Sequence, residues 1–243
     1  MRIILSIVGV TLLLSCAPKA EVDELSARVE ALEKRVEAVE SRPASSTASA
    51  GPTAAEEAEA QKIYGEINES LAAGDMETAK AKTDVCLKDY GRTKTASRCI
   101  RIKQELDVVG KSVDNPAVEK WFVGDGDIDL QNGTTLLVFW EVWCPHCQRE
   151  VPELQATHAK YQGKGLEVVA LTKITKSATE EKVADFVSES GVTYRVAKED
   201  GSTSSAFAVS GIPAAAVVKD GEVLWRGHPG RLNDEMLEKF LGS

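Results

Sequence analysis

The sequence has no surplus of positive charge: 29 lysines and arginines stand against 38 aspartates and glutamates, a formal net charge of −9. The electrostatic footprint that a phosphate backbone demands is missing, which excludes a nucleic-acid partner and leaves acidity as a device for solubility. No apolar run reaches the ~20 residues of a bilayer-spanning helix; the apolar stretch at 3–14 falls short. Histidine is scarce as well, at three residues. A Cys-x-x-Cys motif becomes a structural zinc site only with a second Cys/His cluster. His158 and His228 supply none. No metal or haem ligand set is visible, so no cofactor is expected.

What is present begins with a targeting segment at 1–16. Arg2 gives the positive start and 3–14 the apolar core. The ending Leu13-Leu14-Ser15-Cys16 resembles the bacterial lipobox, which implies cleavage before Cys16 and lipidation of that cysteine; an ordinary cleaved signal is the alternative. Ala17 is compatible with outer-membrane sorting. Cleavage removes one basic residue, Arg2, leaving 28 basic against 38 acidic residues and a net charge of −10. Of the five cysteines, four then remain as two local pairs, Cys86 with Cys99 and Cys144 with Cys147. Outside the cytoplasm, disulfides are permitted.

From 17 to 41 the pattern is a coiled-coil stalk. Val22, Leu25, Val29, Leu32, Val36 and Val39 alternate spacings of three and four, with Arg28 and Arg35 at g and Glu33 and Glu40 at e. Val at a and mostly Leu at d favour a dimer, with a trimer as the alternative; a solitary amphipathic helix is the other reading. The expected partner is a second copy of the chain through 22–40. Small polar residues and prolines at 42–54 read as a flexible linker.

Residues 55–110 form a helical module with expected helices at 55–73, 77–89 and 95–109. The pattern Leu71…Gly74-Asp75…Ala79…Leu87…Tyr90 resembles a tetratricopeptide-like unit over about one and a half repeats. Cys86 and Cys99 flank the turn between the second and third helices and can come level in an antiparallel hairpin. A structural disulfide is the favoured reading. A relay pair exchanging with the second cysteine pair is the alternative.

From 111 to 243 strands and helices alternate. The expected order is an extended, hairpin-like region at 121–130, a strand at 135–140, a helix after Cys144, a strand at 166–171, a helix at 179–189, a strand at 194–197, a helix at 203–209, strands at 214–219 and 222–225, and a helix at 233–241. Asp220-Gly221 marks a hairpin between the last two strands. The expected class is α/β, a central mixed sheet flanked by helices.

The chemistry concentrates at Trp143-Cys144-Pro145-His146-Cys147. An apolar strand runs into the motif and a helix follows it. At a helix N-terminus the first thiol meets unpaired N–H groups and the positive end of the dipole, both favouring the nucleophilic thiolate. The two-residue spacer lets the second thiol close a disulfide. Phe139-Trp140-Glu141-Val142-Trp143-Cys144-Pro145-His146-Cys147 resembles the thioredoxin superfamily's Phe-Trp-x-x-Trp-Cys-x-x-Cys. The continuation Gln148-Arg149-Glu150-Val151-Pro152 resembles the TlpA-like, membrane-anchored thiol–disulfide oxidoreductases, and Gly211-Ile212-Pro213 the superfamily's cis-proline loop.

That resemblance implies a thioredoxin-like fold, Cys144 as attacking thiol, Cys147 as resolving thiol, Pro213 in cis opposite Cys144, and Glu150 as a proton-handling candidate. Trp143 would shield the pair and Pro152 kink the helix. Val138 stands where thioredoxin carries a buried aspartate, and Glu141 where the family often has alanine; Glu141 either replaces that aspartate in part or points to solvent. The Pro145-His146 spacer resembles that of DsbA-like oxidases, in which His146 would stabilise the Cys144 thiolate. The TlpA-like frame points to reduction and covers more sequence. The expected protein is therefore a lipid-anchored envelope oxidoreductase acting on disulfides of exported proteins and served by a membrane electron donor or oxidant. An oxidase or oligomeric isomerase is the enzymatic alternative, an envelope scaffold the non-enzymatic one.

Overall fold

The computed structural model describes residues 28–31, 33, 34 and 51–242. The signal segment with Cys16, the first part of the heptad, Leu32, the stretch 35–50 and Ser243 lie outside the described residues. The lipid anchor and most of the stalk and linker expectations therefore fall outside as well. Residues 28–31, 33 and 34 are helical, with a Lys34–Glu30 ion pair one turn apart at 2.9 Å. No helix among the described residues is long and apolar enough to cross a membrane.

From residue 51 the chain packs as one compact unit. It opens with three helices: α1 (Ala54–Ala72), α2 (Met76–Tyr90) and α3 (Ala96–Leu106). Thr53 and Glu56 close a reciprocal capping box at the start of α1, and the Asp75 side chain accepts the Thr78 N–H to start α2. Their apolar faces meet around Ile67, Leu71, Ala79, Ile102 and Leu106. Cys86 and Cys99 are disulfide-bonded within this core, with Cα atoms 6.5 Å apart. The favoured pairing at 86 and 99 is present. Glu57 of α1 fastens the α2–α3 turn by accepting from the Lys94 N–H and the Thr95 hydroxyl.

The rest is the expected α/β arrangement, a central mixed sheet flanked by helices. Its strands are β1 (Val118–Val123), β2 (Thr134–Trp140), β3 (Leu166–Thr172), β4 (Arg195–Glu199), β5 (Ala214–Lys219) and β6 (Glu222–Gly227), in the order β1-β4-β3-β2-β5-β6. The pairs β2–β3 and β3–β4 are parallel; β1–β4, β2–β5 and β5–β6 are antiparallel. All seven residues of β2 are buried, the reason its sequence is a continuous apolar run without alternation. Leu136, Val138 and Trp140 face one core, Leu137 and Phe139 the other. The first core is covered by α4 (Pro145–Tyr161), α5 (Glu180–Glu189) and α7 (Asp234–Gly242); the second by Phe207 after α6 (Ser202–Ala206) and by the loop bearing Ile128 and Leu130.

Two stretches differ from the sequence reading. The region 121–130 is not a hairpin. β1 instead crosses to the far edge and pairs with β4, while Gly124 and Gly126 adopt positive φ and turn the chain so that Ile128 and Leu130 bury without strand partners. The helix expected at 203–209 ends at Ala206, and Ala208 has φ +50.

The helical module and the sheet share their interior. Met76 packs on the first core and Val108 lies within the second. The connector runs along the edge of β6, with Gly110 N–H donating to Val223 O, Val223 N–H to Lys111 O, and a bridge between Ser112 and Glu222. That strip covers an edge which would otherwise present unpaired backbone groups.

Candidate active site

The completely buried β2 delivers the chain at Trp140 to a tight passage, 141–144, and α4 starts at Pro145 with Cys144 as its N-cap. Proline at the first helical position needs no N–H and has the φ a helix requires, so Pro145 locks the start of the helix behind Cys144. Cys144 is 5% exposed, and its Sγ lies 3.8 Å from the carbonyl oxygen of Ile212. The Ile212–Pro213 peptide bond is cis, as the motif implied. Cys147, one turn along, is 0% exposed. Burial pushes the Cys147 thiol far above the ordinary range. Its hydrogen bond to Cys144 acts the same way, the Glu141 backbone opposes both, and the charges of Cys144 and Glu141 add a smaller lift. The pair is thus asymmetric, an outer thiol at the helix terminus and an inner thiol held protonated.

Glu141 does not point to solvent. It is 7% exposed, and its Oε2 accepts from the Trp143 indole N–H at 2.6 Å and from the Thr175 hydroxyl. Lys176 Nζ stands over the Trp143 ring, 3.2 Å from its centroid, a cation–π contact on a face of the indole. Gln148 Nε2 donates to Val142 O at 2.6 Å and fixes the same passage to α4.

The remaining expected residues sit apart from the thiols to differing degrees. His146 is exposed on the first turn of α4, where Arg149 Nη2 lies 2.6 Å from its Nδ1. A guanidinium only donates, so that nitrogen accepts. Glu150 is half-buried and turned toward the 229–231 turn; a Cβ built on Gly230 would lie 3.4 Å from its Oε1. Val138 is buried in the sheet with no charge. The Cys86–Cys99 disulfide belongs to the helical core, a different apolar cluster from the one that holds Cys144 and Cys147. Among the described residues no group of three or more His, Cys, Asp or Glu is placed to hold a metal ion. The site residue that the motifs undervalued is Glu141; a carboxylate two residues before a tryptophan, at a position usually small, was its only sign.

Residues 125–226 match the AhpC/TSA family. The chain is 24% identical over 114 residues to the thiol-disulfide oxidoreductase ResA of Halalkalibacterium halodurans, covering 46% of this chain and 63% of that protein. It is 31% identical over 115 residues to ResA of Bacillus anthracis, covering 46% and 64% respectively. The chain thus spans about three-fifths of the length of these curated relatives. Among solved structures, a thiol:disulfide interchange protein DsbE from Chlorobium tepidum aligns with 54% of this chain and 100% of its own, at 24% identity and a TM-score of 0.44.

Proposed function

We propose that the protein is a thiol–disulfide oxidoreductase of the bacterial envelope that reduces disulfides in exported proteins. The observation that carries this reading is the asymmetric pair: Cys144 at the helix N-terminus beside the Ile212 carbonyl, with Cys147 buried and protonated behind it. In the reductive direction the Cys144 thiolate attacks one sulfur of a substrate disulfide. A Cys144–substrate bond forms, the substrate S–S bond breaks, and the second substrate sulfur leaves as thiolate. Cys147 then loses its proton and attacks Cys144 Sγ. The substrate departs as a thiolate, and both electrons have come from the Cys144/Cys147 dithiol, which ends as a disulfide.

The proton on Cys147 needs an acceptor. Glu141 is the carboxylate whose charge is felt at that thiol, and we assign it the role; Glu150, turned toward the 229–231 turn, is the second candidate. Trp143 holds Glu141 in place, and the backbone around Pro213 receives the substrate. His146 is engaged by Arg149, which weakens the support its Pro-His spacer lent to an oxidase. Lipidation at Cys16, pairing of two or three copies through 22–40, and a membrane electron donor complete the reading.

The test is the reduction potential of the Cys144–Cys147 couple, by equilibration with glutathione. A value near −270 mV or below fits a thioredoxin-like reductase, whereas a value near −120 mV identifies a DsbA-like oxidant and overturns the direction proposed.

A further inference from the structure

The cis-proline loop is one wall of a cleft whose other wall is the helical module. The cleft, of about 340 Å³, is lined by 210–214, by Arg226 and Arg231 after it, and by Arg98, Arg101 and Glu105 of α3. Four arginines therefore face one glutamate, in a chain whose net charge is −9. Arg226 is 3% exposed. Its Nε donates to Phe207 O at 2.9 Å and its Nη1 to Gly227 O at 3.1 Å and Ala215 O at 3.4 Å. These acceptors are all neutral carbonyls. The charge that answers Arg226 electrostatically is Glu105, which forms no direct ion pair with it among the described residues. A buried cation is costly unless a partner neutralises it, and here the space beside it is open. Arg231 reaches across to Asn68 of α1 at 3.3 Å, so the module is tied in where the arginines gather. Arg98 lies over the Tyr64 ring, 5.5 Å from its centroid, which directs its guanidinium along the module surface.

We propose that this cleft binds an acidic side chain, aspartate or glutamate, next to the reactive cysteine of a peptide substrate. The inference rests on the oxidoreductase reading and names the substrate class for the same site. Ile212 connects the two: its carbonyl oxygen is 3.8 Å from Cys144 Sγ, and the residue itself lines the cleft. A peptide whose cysteine sits over Cys144 and whose backbone follows the 210–214 loop carries its neighbouring side chains toward the arginines. Carboxylates match guanidinium forks in charge and in bidentate geometry. The helical module thereby acquires a role, as the selective wall of the substrate cleft.

The test uses the purified full-length protein and three peptide disulfides that are identical except for Glu, Gln or Lys beside the cysteine. The Glu peptide is expected to be reduced about ten-fold faster than the Gln peptide, and the Lys peptide more slowly than either, an electrostatic ordering that collapses at high salt. Arg98 and Arg101 are exposed on α3, outside the redox machinery. In the double variant R98A/R101A the Glu/Gln ratio should fall toward one, because the Glu peptide loses more rate than the Gln peptide does. Equal rates for the Glu and Gln peptides, or an acidic preference that survives R98A/R101A, would overturn the proposal and leave the redox reading standing. Calorimetric binding of the same peptides with serine replacing cysteine probes the cleft without chemistry. Tighter binding of the Glu peptide, lost in R98A/R101A, upholds the cleft even if no disulfide is reduced, and in that case the oxidoreductase reading falls alone.

Discussion

The indole Nε1 of Trp143 lies 2.6 Å from Oε2 of Glu141, a carboxylate buried directly beneath the cysteine motif. Thr175 donates to the same oxygen. The anion is thus kept inside by two donors, and its charge contributes to the raised proton affinity of Cys147. Two effects of Glu141→Gln oppose each other. Losing the charge makes Cys147 easier to ionise, which speeds resolution; losing a proton acceptor slows it. Acid–base assistance is worth at least 100-fold in typical cases, so resolution of a mixed disulfide at pH 7 should slow by roughly two orders of magnitude, the deficit closing as pH rises. Stopped-flow measurement of substrate release decides the matter. A faster Gln variant would show Glu141 to be an electrostatic restraint and not a base.

A second prediction concerns the disulfide in the helical module. Cys86 and Cys99 are 13 residues apart and both fully buried. Closing a loop of that size stabilises by about 3 kcal/mol through the unfolded state. The double variant Cys86→Ala/Cys99→Ala should therefore unfold at lower urea with ΔG reduced by about that amount, yet turn over peptide disulfides at the unaltered rate. Loss of turnover with an unchanged urea midpoint would make the pair a relay.

What the sequence made legible was local or motif-borne. The run from Thr135 to Trp140 announced a buried strand because each of its residues is interior; the strand begins one residue earlier, at Thr134. Asp220 and Gly221, with φ of +48 and +83, form the turn their dipeptide signals. The cysteine spacing at 86 and 99 suited a hairpin. The stretch 121–130 failed because its apolar residues pack through tertiary contacts: β1 finds its partner in β4, more than 70 residues on, and Ile128 and Leu130 enter the core from a loop. Arg226 follows the strand expected at 222–225 and carries no signal of its own in the sequence, because the carbonyls that hold it come from Phe207, Ala215 and Gly227. Nothing around Arg98 and Arg101 signals that α3 would lie beside the cis-proline loop, since that placement depends on how two separately patterned regions dock.

The Asp220-Gly221 turn supports a third prediction. Gly221 has positive φ, and a Cβ there would approach Gln131 Oε1 to 2.6 Å, while the Gln131 amide is itself engaged with Val113 O at 2.8 Å. Gly221→Ala must strain the backbone and displace Gln131, at a cost of about 1–3 kcal/mol. Urea denaturation should show that loss. The potential of the Cys144–Cys147 couple should stay within error, because the turn lies at the end of the β5–β6 hairpin opposite Pro213.

The protonation of Cys147 makes stability depend on pH in a defined sense. Its proton affinity is raised in the fold chiefly by burial. Below the ordinary thiol pKa of about 8.5 both folded and unfolded chains keep the proton, and the stabilising difference is fully present. Above it the unfolded chain releases the proton and the fold does not, so stability falls by about 1.4 kcal/mol per pH unit until the folded value is reached. Cys144→Ser removes the possibility of a 144–147 disulfide without touching Cys86–Cys99, and it leaves burial, the largest cause, in place. Urea unfolding of this variant should therefore weaken between pH 9 and 10 by about 1 kcal/mol more than that of Cys144→Ser/Cys147→Ala. Parallel curves for the two variants would mean that Cys147 ionises in the fold as readily as in the open chain, and the asymmetry assigned to the pair would be lost.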